Sequence, residues 1–178
     1  MKRAALFACL FALTTPTYAQ APGDTGGPIT NQAQRDGIAA RVRGGASCAN
    51  CDLFQIDLSY QNIGGRDFSG ARIRQSDLSL AQADRTRFHG ANMSLANLFG
   101  ARMTGADMTD ANLSHATLVG SYLGGARFNG AVLAGANLSG AEAEDAVGLT
   151  QAQLNEACGD ATTQLPAGIT IPACAAAH

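Results

Sequence analysis

Tryptophan is absent from these 178 residues, aromatic residues of all kinds make up 6%, and charged residues only 15%, against about a quarter in an ordinary globular domain. With so few large side chains, a two-layer sandwich packed with bulky residues is excluded. Charge of one sign is lacking too: twelve Lys+Arg against fourteen Asp+Glu leave −2, which fits neither a basic nucleic-acid binder nor a strongly acidic mimic of DNA. Long apolar runs are missing. The run Ala4 to Leu13 falls short of the ~20 residues a membrane-spanning helix needs. Signatures of chemistry are missing as well: there is no phosphate loop, dinucleotide fingerprint or calcium-binding Gly/Asp nonapeptide. Cys48-x-x-Cys51 is followed by Asp52 rather than His, which excludes covalent haem attachment.

What the N-terminus does contain is an address. Lys2 and Arg3 precede the apolar run, and Thr17-Tyr18-Ala19 offers a small residue at both recognition positions, so residues 1–19 are expected to be a signal peptide cut after Ala19. The protein is then periplasmic or secreted. The remaining basic residues are ten Arg against fourteen acids, a net charge of −4. Residues 20–29, QAPGDTGGPI, read as a flexible linker. Residues 30–50 are expected to form an N-terminal cap. Its short helix, Thr30–Arg43, carries Ile38 and Val42 on one side and is stopped by Gly44-Gly45.

The centre of the chain is a repeat with a period of five. Stepping from Leu53 through Leu58, Ile63, Phe68 and Ile73 to Ala143 meets nineteen apolar residues without a slip. Two residues before each, twelve of nineteen are Ala; one before, ten are Asp or Asn; two after, ten are Gly. Neither a helix at 3.6 nor a strand at 2.0 residues per repeat produces this pattern.

Segments such as Ala91-Asn92-Met93-Ser94-Leu95, Ala96-Asn97-Leu98-Phe99-Gly100 and Ala136-Asn137-Leu138-Ser139-Gly140 resemble the pentapeptide-repeat family, whose pattern is Ala-(Asp/Asn)-Leu-x-x. The resemblance covers residues 51–145. It implies an all-β fold, a right-handed quadrilateral β-helix with four pentapeptides per coil and the central and small residues facing inward. Gln61, Arg66, Ser76 and Thr86 depart from the small residue, and Ala83 and Ala143 from the central one. A coil of twenty residues stacks Leu58, Leu78, Leu98, Leu118 and Leu138 in one column and Phe68, Phe88, Met108 and Phe128 in another. That segregation of Phe independently supports the period of twenty. About 4.75 coils result, ~23 Å long at a strand spacing of ~4.8 Å.

An open solenoid needs its ends covered, so short helical caps are expected at both. Residues 146–178 are read as a C-terminal cap and tethered tail, with a helix Gln151–Ala157 opened by a Thr150/Gln153 capping box and stopped by Gly159. In an exported chain the four cysteines Cys48, Cys51, Cys158 and Cys174 suggest disulfides. The two pairs lie at opposite ends of the rod, ~23 Å apart. A single zinc site and any cross-pairing are therefore disfavoured, and Cys48–Cys51 and Cys158–Cys174 are chosen. The oxidation state of the short Cys48–Cys51 ring stays open.

No catalytic, cofactor-binding or metal-binding residue is assigned. The ten Asp and Asn before the central residues are read as capping local turns, and His89 and His115, twenty-six residues apart, as surface residues on different faces. Asp67, Arg87, Asp107 and Arg127 form an alternating charge ladder outside the Phe column. Tyr60, Leu80, Leu95, Phe99 and Val119 form an apolar strip outside the Leu column, the candidate interaction surface. The reading is a non-enzymatic exported structural and protein-interaction module. Its expected partner is a protein of the cell envelope, with a homodimer also considered and neither nucleic acid nor membrane insertion expected. The alternative is a DNA-mimicking protein that interacts with gyrase, an activity the family resemblance brings with it.

Overall fold

The structure is a computed structural model that describes residues 32–175. The expected signal peptide and linker lie outside the described residues. Two helices, α1 (Gln32–Arg43) and α2 (Gln151–Asn155), flank a four-walled solenoid in which parallel rungs join residues twenty apart. The wall behind the Leu column pairs Asp57, Asp77, Asn97, Thr117 and Asn137 in turn, and the wall behind the Phe column pairs Asp67, Arg87, Asp107, Arg127 and Val147. The other two, the Ile73 wall and the Met103 wall, start from Asp52 and Asn62. Within each coil the central residue donates to the next coil (Leu58 N to Asp77 O, 2.7 Å), and its neighbour donates to the previous one (Asp77 N to Ile56 O, 2.9 Å).

The corners explain the glycines. The last residue of each pentapeptide, from position 50 to 140, has a φ between 55° and 69°, a left-handed conformation that glycine adopts without strain. Ten of these corners are Gly and nine are not. The pre-central Asp and Asn brace the turns: all ten accept a hydrogen bond from the backbone N–H two residues on, at 2.9–3.2 Å.

Inside, the Leu column and Phe68, Phe88, Met108 and Phe128 are fully buried, each contributing roughly 1.5–3 kcal/mol of transfer free energy. The Phe68 and Phe88 rings stack at 5.7 Å. The departures from Ala acquire reasons. Ser76 Oγ donates to Leu53 O and accepts from Ile56 N, and Thr86 Oγ1 donates to Ile63 O. Both hydroxyls thus serve backbone groups of the first coil. Arg66, in that first coil, reaches down to the Val42 carbonyl at the end of α1.

The two ends are closed differently. Cys48 lies one coil below Phe68, is buried, and donates from its N–H to Asp67 O at 2.7 Å. Its disulfide to Cys51, with Cα atoms 5.4 Å apart, covers the base of the Phe column. Val42 and Ala39 of α1 are buried in the same core. At the other end α2 stops at Asn155 rather than Ala157, because the chain must turn back to the solenoid: Gly135 N donates to Glu156 O and Leu138 N to Cys158 O. Its capping box is formed, Gln153 Nε2 donates to the carbonyls of Phe128 and Ala131, and Leu154 is buried. The ladder then resumes with slipped spacing, Asn137 to Cys158 and Glu142 to Gln164. A second disulfide, Cys158–Cys174, closes a separation of 16 residues.

Candidate interaction wall

The outer surface of the Leu wall is built from the rows 55–60, 75–80, 95–100, 115–120 and 135–140. They contain no Lys or Arg, and their only acids are Asp57 and Asp77. Ion pairs mark the other walls: Arg72–Asp52 (2.8 Å) on the Ile73 wall, Arg102–Asp84 on the Met103 wall, and Arg87–Asp67 (3.1 Å) with Arg127–Asp107 (2.7 Å) on the Phe wall. Arg72 also lies over the Phe54 ring, 4.7 Å from its centre.

Large apolar groups take the place of charge on the Leu wall. Tyr60 is 71% exposed, Leu80 41%, Leu95 43% and Phe99 50%; Val119, next to Phe99 in the same column, is half-buried. Tyr60, Leu80 and Leu95 are corner residues with φ of 58°, 56° and 59°. A bulky side chain in this region is strained by about 1 kcal/mol relative to glycine. The corner column therefore reads Tyr60, Leu80, Gly100, Gly120, Gly140. Leu80 leans over Gly100, its Cδ2 2.7 Å from where a Cβ would sit, whereas a Cβ on Gly120 would meet nothing within 4 Å.

Sequence reasoning missed three exposed apolar residues, Tyr122, Val132 and Val147. Tyr122 and Val132 each replace the usual Asp or Asn before a central position, on the Met103 and Ile73 walls, whereas Val147 extends the Phe wall just beyond the repeat. That substitution, visible in the repeat, is the signal for Tyr122 and Val132. They stand singly and make no strip.

The charge ladder of the Phe wall pairs Asp67 with Arg87 and Asp107 with Arg127. Hydrogen bonds from the Ser69 hydroxyl and backbone, helped by Arg87, hold the Asp67 carboxyl at about 2. For Asp107, burial opposes ionisation most strongly, but hydrogen bonds from Arg127 and Thr109 outweigh it and hold the carboxyl at about 2. His89 and His115 are exposed. Among the described residues no group of three or more His, Cys, Asp or Glu is placed to hold a metal ion, and no helix is long and apolar enough to cross a membrane.

The family described as pentapeptide repeats matches the chain in eight copies, over residues 51–90, 67–105, 76–114 and 106–142. Among solved structures, a pentapeptide-repeat protein of the Arabidopsis thaliana thylakoid lumen is 27% identical with a TM-score of 0.56; the match covers 70% of this chain and 86% of that one. HetL of the cyanobacterium Nostoc, described as involved in regulating heterocyst differentiation, is 23% identical (TM-score 0.35; 72% and 65% covered). QnrB1, a plasmid-mediated fluoroquinolone resistance protein, is 20% identical in one variant (TM-score 0.32; 72% and 81% covered). No curated protein matches the chain.

Proposed function

The chain belongs to the pentapeptide-repeat family, whose members fold as right-handed quadrilateral β-helices, and from that premise we propose that it is a non-enzymatic interaction module working outside the cytoplasm. The observation that carries this reading is the Leu wall: Tyr60, Leu80 and Leu95 keep bulky apolar side chains in left-handed corners that the family pattern fills as readily with glycine. Backbone conformation favours glycine at these corners and the apolar side chains stay largely exposed, so binding is the purpose we assign to them. A rod of about 4.75 coils, closed by α1 below and by α2 with its tail above, presents the wall rigidly.

Export is supported by residues 1–19, by the two disulfides, and by the similar protein of the thylakoid lumen. The partner is a protein of the cell envelope. A DNA mimic directed at gyrase would need a continuous acidic stripe; the Phe, Ile73 and Met103 walls each interleave Arg with their acids, and the Leu wall is acidic only at Asp57 and Asp77. The experiment is an affinity pull-down of chain beginning at Gln20 from envelope extract, with Phe99→Ser beside the wild type. A protein retained by the wild type and lost with Phe99→Ser is the expected result. Identical capture by both, or inhibition of gyrase supercoiling, would overturn the reading.

A further inference from the structure

We infer that the Leu wall is self-complementary and that its occupant is a second copy of the same wall, laid antiparallel across a two-fold axis that runs along row 95–100. The inference rests on the interaction role proposed for this wall and names its partner. The rungs of the wall join residues twenty apart, so the two-fold sets row 55–60 against row 135–140, row 75–80 against row 115–120, and row 95–100 against itself.

Each side chain then meets a suitable counterpart. Tyr60 comes over the partner copy's glycine corner at position 140 and Leu80 over that at position 120, where a Cβ would have nothing within 4 Å. Bulk therefore lies opposite open space at Gly120, whereas the Gly140 corner is flanked by the Thr162 hydroxyl, 3.4 Å from where a Cβ would sit. Leu95 and Phe99 meet their own copies at the axis, putting the apolar centre where interfaces concentrate their binding energy. Asp57 falls opposite position 137, where the Cys174 sulfur lies 3.3 Å from the Asn137 amide oxygen, and Asp77 opposite the hydroxyl of position 117, so no acid faces an acid. Beyond the last rows Arg43, which donates to Asp57 O at 2.9 Å, comes to the same end as Asp160, which accepts from Gly140 N at 3.1 Å. Opposite charges thus meet at both ends. A parallel pairing about the long axis would instead set the Tyr60–Leu80 corner against Gln55 and Gln75, without the glycine openings.

The wall is one pentapeptide wide and ~23 Å long, less than the ~800 Å² per partner of a standard interface. The dimer is therefore weak and reversible, with Kd of order 10–1,000 μM.

Sedimentation equilibrium of the disulfide-intact chain beginning at Gln20, up to about 1 mM, tests it. Concentration-dependent dimerisation is expected. Leu80→Gly and Leu95→Gly should each weaken it about tenfold while leaving the thermal midpoint unchanged or higher, since glycine relieves the strained corner. Gly120→Asn, which fills the space opposite Leu80 with a residue that tolerates left-handed backbone, should weaken it as well; Gly125→Asn, on another corner, should not. A chain monomeric throughout, or one in which Gly120→Asn and Gly125→Asn behave alike, overturns the antiparallel dimer. If such a monomer still captures an envelope protein through Phe99, the interaction reading survives the loss of this one.

Discussion

The coils before residue 91 and those after it share one plan and differ in how strictly they keep it. Between positions 50 and 90, six of nine left-handed corners are non-glycine; between 95 and 140 only three of ten are. The small inward position of the early coils holds Cys51, Ile56, Gln61, Arg66, Ser76 and Thr86, whereas in the later coils it is Ala at every step except Ser121. The difference shows what a repeat needs when it has a neighbour on one side only. The first coil faces α1 and a disulfide instead of another coil, so its polar groups need hydroxyl and guanidinium partners. The later coils stack on copies of themselves and need only methyl groups. Regular packing is the later half's source of stability; the early half carries strain, polar seals and much of the interaction wall.

That contrast can be broken outright at the column both halves share. Phe88→Asp puts a carboxylate between Phe68 and Met108 in a dry stack, and no cooperative unfolding transition should remain by circular dichroism. Phe88→Ala should fold with a loss of about 3–5 kcal/mol. Next in size is the contrast between the ends. Serine at both Cys158 and Cys174 should lower stability by about 3 kcal/mol, as expected for a loop of that length, and serine at both Cys48 and Cys51 by clearly less in the same denaturant titration.

Smaller effects sharpen the comparison of corners. Gln75→Gly in the early half should raise stability by up to about 1 kcal/mol, while Gly125→Ala in the later half should lower it by about 1–2 kcal/mol. A Cβ at position 125 would come no nearer than 4.0 Å to its neighbours, so backbone conformation alone accounts for that loss. Ser76→Ala should cost about 1 kcal/mol through groups of the first coil left unpaired, and Ser121→Ala, which restores the later coils' own residue, should be near neutral. The smallest effect is in acid. The Asp67 and Asp107 carboxyls sit at about 2 against an ordinary 3.8, so their contribution is full above pH ~4 and is lost as pH falls through ~2. The thermal midpoint should decline in that interval, and Ser69→Ala should shrink the decline.

The fold was legible because a narrow interior leaves the repeat no freedom: nineteen apolar residues at a spacing of five, with Phe confined to every fourth, admit one kind of coil. The corner glycines were visible as composition. That Tyr60, Leu80 and Leu95 take the same left-handed conformation is geometry, and it changes what their exposure means. The seat of Cys48 beneath Phe68 was legible too, since Cys48 lies five residues before Leu53 and twenty before Phe68, on the inward register. The tail eluded the pattern because α2 inserts between rungs, so Cys158 and Gln164 rejoin the ladder twenty-one and twenty-two residues from their partners.

The twenty-residue coil also fixes how such a chain can change length. Deleting one pentapeptide turns everything downstream by a quarter of a circle, carrying Arg127 away from Asp107 and Phe128 out of its column. Deleting four in succession removes a storey and leaves each wall above it in place. Inherited changes of length that keep the walls intact must therefore come in multiples of sixty nucleotides, and an insertion of fifteen is a change of direction rather than of size.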